Sequence, residues 1–586
     1  MPELAEERMP TRAQALAFLG KTKLFQLRRT LQNAANGGSV RALPQLPVDD
    51  AIPVIAESRS LLYPSQQGAE FGLQAGKVQN LRVAAQKLNG IRIHAGETFS
   101  FWKQIPRPTR SRGFVAGREL REGCVIPSVG GGLCQLSNAL YDAALKAGFE
   151  IVERHGHSRI LPGSMAEAGR DATIFWNYVD LRFKPAFDVQ MEVVLGRGEL
   201  VFRFRSNESA EPTPSDSDAQ IPAGDAAESC ETCGVTSCFR HPSAMGLTQD
   251  AVTAWLVDAY WPEHDAYIRE TRVEKDWLFT PLAGAKYRWS TQGFANVRQA
   301  PVFVAKRSII SRRLAAQGAA RQRALLKLDE ELAVSYARRI PFDTTHLVVS
   351  QNLLPFLWRL GALGGRTFDV LMTRLPLAEL QSTLDHAAKR WPESPTLADF
   401  RADRQLLADE SAALAEARHW ITPHSQIAKI AGEKAFKLDW QLPKIEEKPK
   451  RGQKLLFPAS TLGRNGAYEL RELGQPLRIC GGALESPEFW SDVDVEKAEF
   501  SLDDVRAVVM PAWVASQPRR LLRAAASGIP VITTAAAGIE GIKGVEVFPE
   551  GDVEALRRLV GGIPQSASED ELPTSSAAPP KAVAVG

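Results

Sequence analysis

Leu133, Leu136, Leu140 and Ala144 recur at helical spacing and mark the apolar face of a helix that opens directly after Gly130-Gly131-Gly132. Cys134, Asn138 and Tyr141 fall on the neighbouring face. Upstream, KVQNLRVAAQKLNG from Lys77 is amphipathic, with Val78, Leu81, Ala85 and Leu88 on one side and Asn89-Gly90 as its stop. Downstream, FEIVERHGHSRIL alternates with period two from Phe149, which predicts a strand carrying Glu153, His155 and His157 on one face. GRDATIFW reads as a further strand beginning at Asp171, and Phe187 to Leu195 with Glu199 to Arg205 as a hairpin across Gly196-Arg197-Gly198. Helices followed by strands predict an α+β domain over 70–206, behind a weakly patterned lead-in over 1–69.

Beyond it the pattern changes. Residues 207–229 are rich in Ser, Asp, Pro and Ala without an apolar period, as in a disordered linker, and 564–586 read as a disordered tail. Over 246–443, helices alternate with short apolar strands, Leu347 to Val349 among them. WITPHSQIAKI runs from a strand into a helix for which Ser425 is the expected N-cap. After the charged linker Lys444 to Arg451 the alternation resumes over 451–562, through KLLFPAS, LRICGG, AVVMP and PVITT. Two such blocks imply parallel sheets of Rossmann type, with ligands at the carboxyl ends of the strands. The expected fold class is therefore multidomain: an α+β domain, a small Cys-rich element over 230–245, and two Rossmann-like α/β domains.

A chain of 586 residues fits several cores rather than one. A net charge of +3 gives no reason to expect a nucleic-acid partner. No apolar run reaches the roughly 18 to 20 residues of a membrane span, and Ala15 to Gly20 is too short for a signal-peptide core, so a cytoplasmic chain is expected. The basic segment Lys21 to Arg29, with Leu24, Phe25 and Leu27, reads as a solvated helix; its alternative is peripheral contact with an anionic membrane surface.

Two groups of residues carry candidate chemistry. Cys134 in a first helical turn lies at the positive end of the helix dipole, which favours a nucleophilic thiolate. With His157 and Asp171 it completes the inventory of a thiol nucleophile, an imidazole base and an orienting carboxylate. The alternative is a small buried cysteine behind a tight glycine turn. Cys230-x2-Cys233-x4-Cys238-x2-His241 presents four ligands for a tetrahedral zinc site, with an iron–sulfur cluster as the alternative.

The segments KVQNLRVAAQKLNG, GETFSFW, GGGLCQLSNALY, ERHGHS and GRDATI resemble the VanW family, associated with glycopeptide-resistance clusters and bacterial envelope proteins. The resemblance offers Cys134, Gln135, Ser137, His157 and Asp171 as matching polar positions, with Gln135 and Ser137 toward substrate. It implies no settled reaction. FPASTLGRNGAYELREL, VVMPAW, LLRAAASGIPVITTAAAG and WITPHSQIA resemble the GT-B glycosyltransferases. That resemblance implies a nucleotide-sugar donor, with Arg464 at the first basic diphosphate position and Asn465 where a lysine is common. Arg523 stands where the family's ribose-binding glutamate belongs, and arginine has no acceptor for hydroxyl protons. The resulting expectation is glycosyl transfer in bacterial envelope or exopolysaccharide metabolism, acting on a glycan or envelope precursor. The alternatives are a Cys134-dependent acyl- or amide-processing enzyme with a glycan-recognition half, and a non-catalytic scaffold.

Overall fold

The computed structural model describes residues 12–35, 40–63, 71–121, 124–157, 165, 169–208, 228–229, 252–284, 288–314, 318–482, 484–515 and 517–564. They fall into two compact units: Met1–Ala315 with Arg323–Met372 and Asp403–Ile421, and Ala316–Gln322 with Thr373–Ala402 and Thr422–Gly586. Among the described residues no helix is long and apolar enough to cross a membrane.

The first unit opens with helix α1 (Arg12–Ala35) and strand β1 (Val54–Leu61), so the lead-in has more structure than its pattern announces. Helix α2 (Phe71–Leu88) follows, then β2 (Arg92–Ile93) and β3 (Phe99–Ser100). An unexpected hairpin, β4 (Ala116–Arg121) and β5 (Cys124–Val129), leads into α3 (Cys134–Lys146). After α3 come β6 (Glu150–Glu153), β7 (Arg182–Lys184), β8 (Val189–Leu195) and β9 (Glu199–Arg205). The expected β8–β9 hairpin is present, and β1 pairs antiparallel with β9 to give the sheet order β1-β9-β8-β2. Helix α3 lays Leu136, Leu140 and Ala144, each fully buried, into a core shared with α2 and Phe202 and Phe204 of β9. The apolar stripe thus fixes the cysteine helix against the sheet.

Two expected strands fail here. The strand from Phe149 stops at Glu153, and Arg154 to His157 are irregular; Asp171 to Ile174 also form no strand. Period-two alternation persists past Glu153, but among the described residues no neighbouring strand extends to pair with it. A two-residue strand β10 (Glu228–Ser229) pairs in parallel with β5, inside the stretch expected to be a disordered linker.

The same unit contains a parallel sheet of β11 (Val252–Leu256), β12 (Trp277–Thr280), β13 (Asn296–Gln299), β14 (Thr344–Ser350), β15 (Thr367–Leu371) and β16 (Trp420–Thr422). Within a seven-stranded sheet these six lie in the order β13-β12-β11-β14-β15-β16, each parallel to its neighbours. Counted from its own first strand this is 3-2-1-4-5-6, the doubly wound Rossmann order. The antiparallel domain packs against the turn that precedes β15: Arg82 of α2 donates to the Gly364 carbonyl at 2.8 Å and Gln86 to that of Leu360 at 2.6 Å.

In the second unit, β17 (Ala435–Lys437) precedes β18 (Arg451–Phe457), β19 (Leu477–Ile479), β20 (Val495–Lys497), β21 (Val505–Met510), β22 (Val531–Thr534) and β23 (Val545–Phe548). The order β20-β19-β18-β21-β22-β23 repeats the 3-2-1-4-5-6 arrangement. The helix after β16 starts at Ser425, but its cap is His424, whose ring accepts from the Ile427 amide. Burial lowers His424 to about 4 against the backbone contacts that favour its charge, so the ring is neutral and free to accept.

Candidate functional site

The glycines before α3 are filled from within the protein. A Cβ on Gly131 would stand 2.4 Å from the Gly117 carbonyl oxygen, and one on Gly132 would stand 2.1 Å from the Lys77 side chain. Close packing against β4 and α2 thus accounts for these two glycines. Asn80 of α2, fully buried, reads the same loop: its amide donates to the carbonyls of Val115 at 3.0 Å and Gly131 at 2.9 Å, and accepts from the Val115 amide at 2.8 Å. This scaffold delivers Cys134 to the first position of α3, half-buried and unpaired with any other cysteine.

Polar residues one turn along α3 then hold the opposite strand of chain. Ser137 donates to the Ala172 carbonyl at 2.5 Å, and Asn138 accepts from the Ala172 amide at 2.8 Å. Arg154 donates to the Asp171 carbonyl at 2.6 Å and lies 5.3 Å over the Tyr141 ring. The peptide at Asp171 is therefore clamped from both sides. Its carboxylate accepts from the His157 backbone amide and from His157 Nδ1, the latter at 2.5 Å. With Nδ1 engaged, Nε2 is the nitrogen left for Cys134, which together with Asp171 favours the charged imidazole. Thr173 Oγ1 stands 3.9 Å from the sulfur.

The electrostatics follow from this order. Burial alone would lower the His157 pKa, but hydrogen bonds to Asp171 and Cys134, with the charges of both, push it up to about 10. Burial alone would raise Asp171; hydrogen bonds and charge from His157, with the Arg154 guanidinium, hold it below the ordinary carboxylate range. Only 17% of the His157 side chain and 5% of that of Asp171 are exposed, so the ion pair is shielded from screening.

Cys134, His157 and Asp171 come together. Gln135 and Ser137 take other work: Gln135 donates to Ser60 Oγ at 2.9 Å and to the Leu61 carbonyl at 2.8 Å, tying α3 to β1. Asn80, Arg154 and Thr173 were not singled out from the sequence. Asn138 was placed on the face of Cys134, which it follows by one helical turn, but was given no role.

In the second unit Arg464 lies in the turn after β18, and its carbonyl accepts from the amides of Trp513, at 2.9 Å, and Val514, at 3.2 Å, beyond β21. That is the switch point of the sheet, where strand order reverses. Burial holds the half-buried guanidinium below its ordinary pKa against the opposing charges of Asp399 and Glu485. Arg523 is exposed on the helix Arg519–Ala526. In the first unit a cleft of about 320 Å³ opens beyond β11 and β12, walled by Tyr260, Trp289 and Phe303 with Asp258 and Arg307.

Cys230, Cys233, Cys238 and His241 lie outside the described residues, so the expected zinc or iron–sulfur element has no geometry here. Among the described residues no group of three or more His, Cys, Asp or Glu is arranged to hold a metal ion.

The family model described as VanW like protein matches residues 76–205. Residues 76–205 are a VanW domain. The VanW vancomycin B-type resistance protein of Enterococcus faecalis is 33% identical over 143 residues, which is 24% of this chain and 52% of that protein. The uncharacterized protein YoaR of Bacillus subtilis is 34% identical over 109 residues, 19% of this chain and 35% of its own. The chain thus spans about half or less of the curated relatives it matches. Among solved structures, WaaG, a glycosyltransferase involved in lipopolysaccharide biosynthesis, aligns with 53% of this chain and 89% of its own at 15% identity and a TM-score of 0.31.

Proposed function

We propose that the VanW domain is a thiol-dependent acyl-transfer enzyme with Cys134 as nucleophile, His157 as proton carrier and Asp171 as the group that orients and charges His157. The observation that carries it is the His157 imidazole held between Asp171 and Cys134 with its pKa raised to about 10. A protonated imidazole beside the sulfur is the proton donor that a leaving group needs, and the thiolate is the nucleophilic form of a cysteine. The thiolate attacks the carbonyl carbon of an ester or amide, and the carbonyl π pair moves to oxygen. Of the first-turn N–H groups of α3, those of Gln135, Leu136 and Ser137 already donate to the Gly132 and Leu133 carbonyls, which leaves the Cys134 N–H to meet that oxyanion. Collapse expels the amine or alcohol, which takes the proton from His157 Nε2, and leaves a thioester on Cys134. Neutral His157 then removes a proton from water or an acceptor amine, which attacks the thioester and releases the thiolate.

Iodoacetamide labelling of the folded full chain, read by mass spectrometry of the Cys134 peptide, tests this. Cys134 is expected to label faster than Cys480, which is buried, and at least tenfold more slowly once His157 is replaced by Ala. Labelling that is indifferent to His157, or absent in the folded protein, would show a packed cysteine and sink the proposal.

A second reading concerns the two Rossmann-like sheets: transfer of a sugar from a nucleotide donor to an envelope glycan. Arg464 favours it, a half-buried guanidinium at a switch point with no hydrogen bond to a described residue. Its charge suits a diphosphate. The cleft beyond β11 and β12, with Tyr260 and Trp289 edge to face at 5.2 Å, has the aromatic walls and polar rim of a sugar-ring site.

A further inference from the structure

We infer that α1 is a docking face for the surface of an anionic lipid bilayer. The helix has 24 residues and contains Arg12, Lys21, Lys23, Arg28 and Arg29 without one acidic residue. Its half-buried positions are Phe18, Thr22, Gln26, Arg29 and Asn33, a single stripe at spacings of three and four. That stripe is the seam with the VanW domain: Arg29 pairs with Glu153 at 2.5 Å, Gln26 donates to the Trp176 carbonyl at 2.7 Å, and Asn33 accepts from Arg182 at 3.2 Å. Phe25 stacks on Tyr178 at 5.7 Å beside it.

The rest of the helix faces outward, and it is not polar. Leu16, Leu19, Leu24, Leu27 and Leu31 are 54–69% exposed. At 100° per residue, Leu16, Leu27, Leu31 and Leu24 fall within one quadrant, with Lys23 and Leu19 beside it and Lys21 and Arg28 along its other margin. The apolar face is therefore wider than the segment Lys21 to Arg29 alone announces. Exposed leucines flanked by cations, with no carboxylate among them, fit a surface that offers hydrocarbon beneath negative headgroups. A protein partner would have to present the same pairing of acid and apolar surface along about 36 Å.

The contacts at the seam add a consequence. Glu153 precedes His157 by four residues, and Trp176 follows Asp171 by five, so α1 is fastened to the two segments that bear the candidate site. A bilayer held by α1 lies next to chain that positions Cys134's partners. This placement does not depend on the acyl-transfer reading, and its test does not involve Cys134.

The test is flotation of the full chain with vesicles of phosphatidylglycerol and, separately, phosphatidylcholine. The wild type is expected to float with phosphatidylglycerol and to dissociate when salt rises from 0.1 to 0.5 M. Leu24→Glu with Leu27→Glu is expected to abolish flotation while far-UV circular dichroism and the melting temperature stay unchanged. Replacing Lys21, Lys23 and Arg28 by Ala leaves the leucines in place and is expected to weaken binding on the order of 100-fold. Absence of wild-type flotation, or flotation unaffected by both variants, overturns the inference. So does a self-associated wild type that ignores vesicles and becomes monomeric on Leu24→Glu with Leu27→Glu, which would assign the face to a second copy.

Discussion

At the scale of single residues, His157 sets the charge state of the site. Its folded pKa of about 10 lies above the ordinary histidine value of about 6.5. A raised base binds its proton more tightly in the folded protein, so it stabilises fully below about pH 6.5, and that contribution fades as pH climbs toward 10. Asp171 is depressed and acts at the other end: its contribution is present above the ordinary carboxylate value and is lost as pH falls through the lowered one. Thermal melts should therefore show wild-type stability declining from neutral pH to pH 10 more steeply than in His157→Gln, with the two profiles parallel over that range if the pair contributes nothing. NMR titration of the ring gives a sharper check. Cys134→Ser removes one of the two partners that raise His157, so its pKa should drop by a unit or more, about 1.4 kcal/mol per unit. An unchanged value would mean that Asp171 alone holds the proton and the sulfur is a bystander.

At the scale of elements, the turn before α3 is built from contacts that local pattern does not show. The stripe Leu133, Leu136, Leu140 and Ala144 announced α3, and Val78, Leu81, Ala85 and Leu88 announced α2, because each helix buries one continuous face. The β8–β9 hairpin was equally legible. The β4–β5 hairpin was not, since AGRELREGCVIPSV places Arg118, Glu119, Arg121 and Glu122 among its apolar residues and hides the alternation. The strand expected from Asp171 is absent for a different reason: Ser137, Asn138 and Arg154 hold this stretch by side-chain hydrogen bonds, so no strand ladder is needed. The three candidate catalytic residues were legible as an inventory, whereas their meeting depends on these clamps. Two substitutions measure the clamps. Gly131→Ala drives a methyl into backbone that cannot yield cheaply and should cost roughly 1–3 kcal/mol in urea denaturation. Asn80→Ala strips hydrogen bonds from the buried Gly131 carbonyl and the Val115 amide and should cost roughly 1–3 kcal/mol. Stability within about 0.5 kcal/mol of wild type in both would mean that the loop is not held as described.

At the scale of the whole molecule, the chain carries two sheets of the same 3-2-1-4-5-6 order and one VanW domain, and its candidate chemistries reside in different cores. Cys134 belongs to the first compact unit and Arg464 to the second. Residues without shared partners act additively, so the two proposed functions should be separable by single substitutions. Calorimetry with nucleoside diphosphate sugars, UDP-glucose among them, should show binding that Arg464→Ala weakens by 10-fold to 100-fold, the range for a charge-assisted contact to phosphate of about 1.5–3 kcal/mol. Arg523→Glu should leave that binding unchanged, because the side chain is exposed on its helix. Cys134→Ser should also leave it unchanged, while Arg464→Ala should leave the iodoacetamide labelling rate of Cys134 as in wild type. Each readout thus serves as the folding control for the other. If Cys134→Ser weakens nucleotide binding, or Arg464→Ala slows labelling, the two residues serve one reaction and the division of labour is wrong. If no nucleotide sugar binds the wild type while labelling depends on His157 as expected, the thiol chemistry stands alone and Arg464 is a structural cation among Asp399 and Glu485.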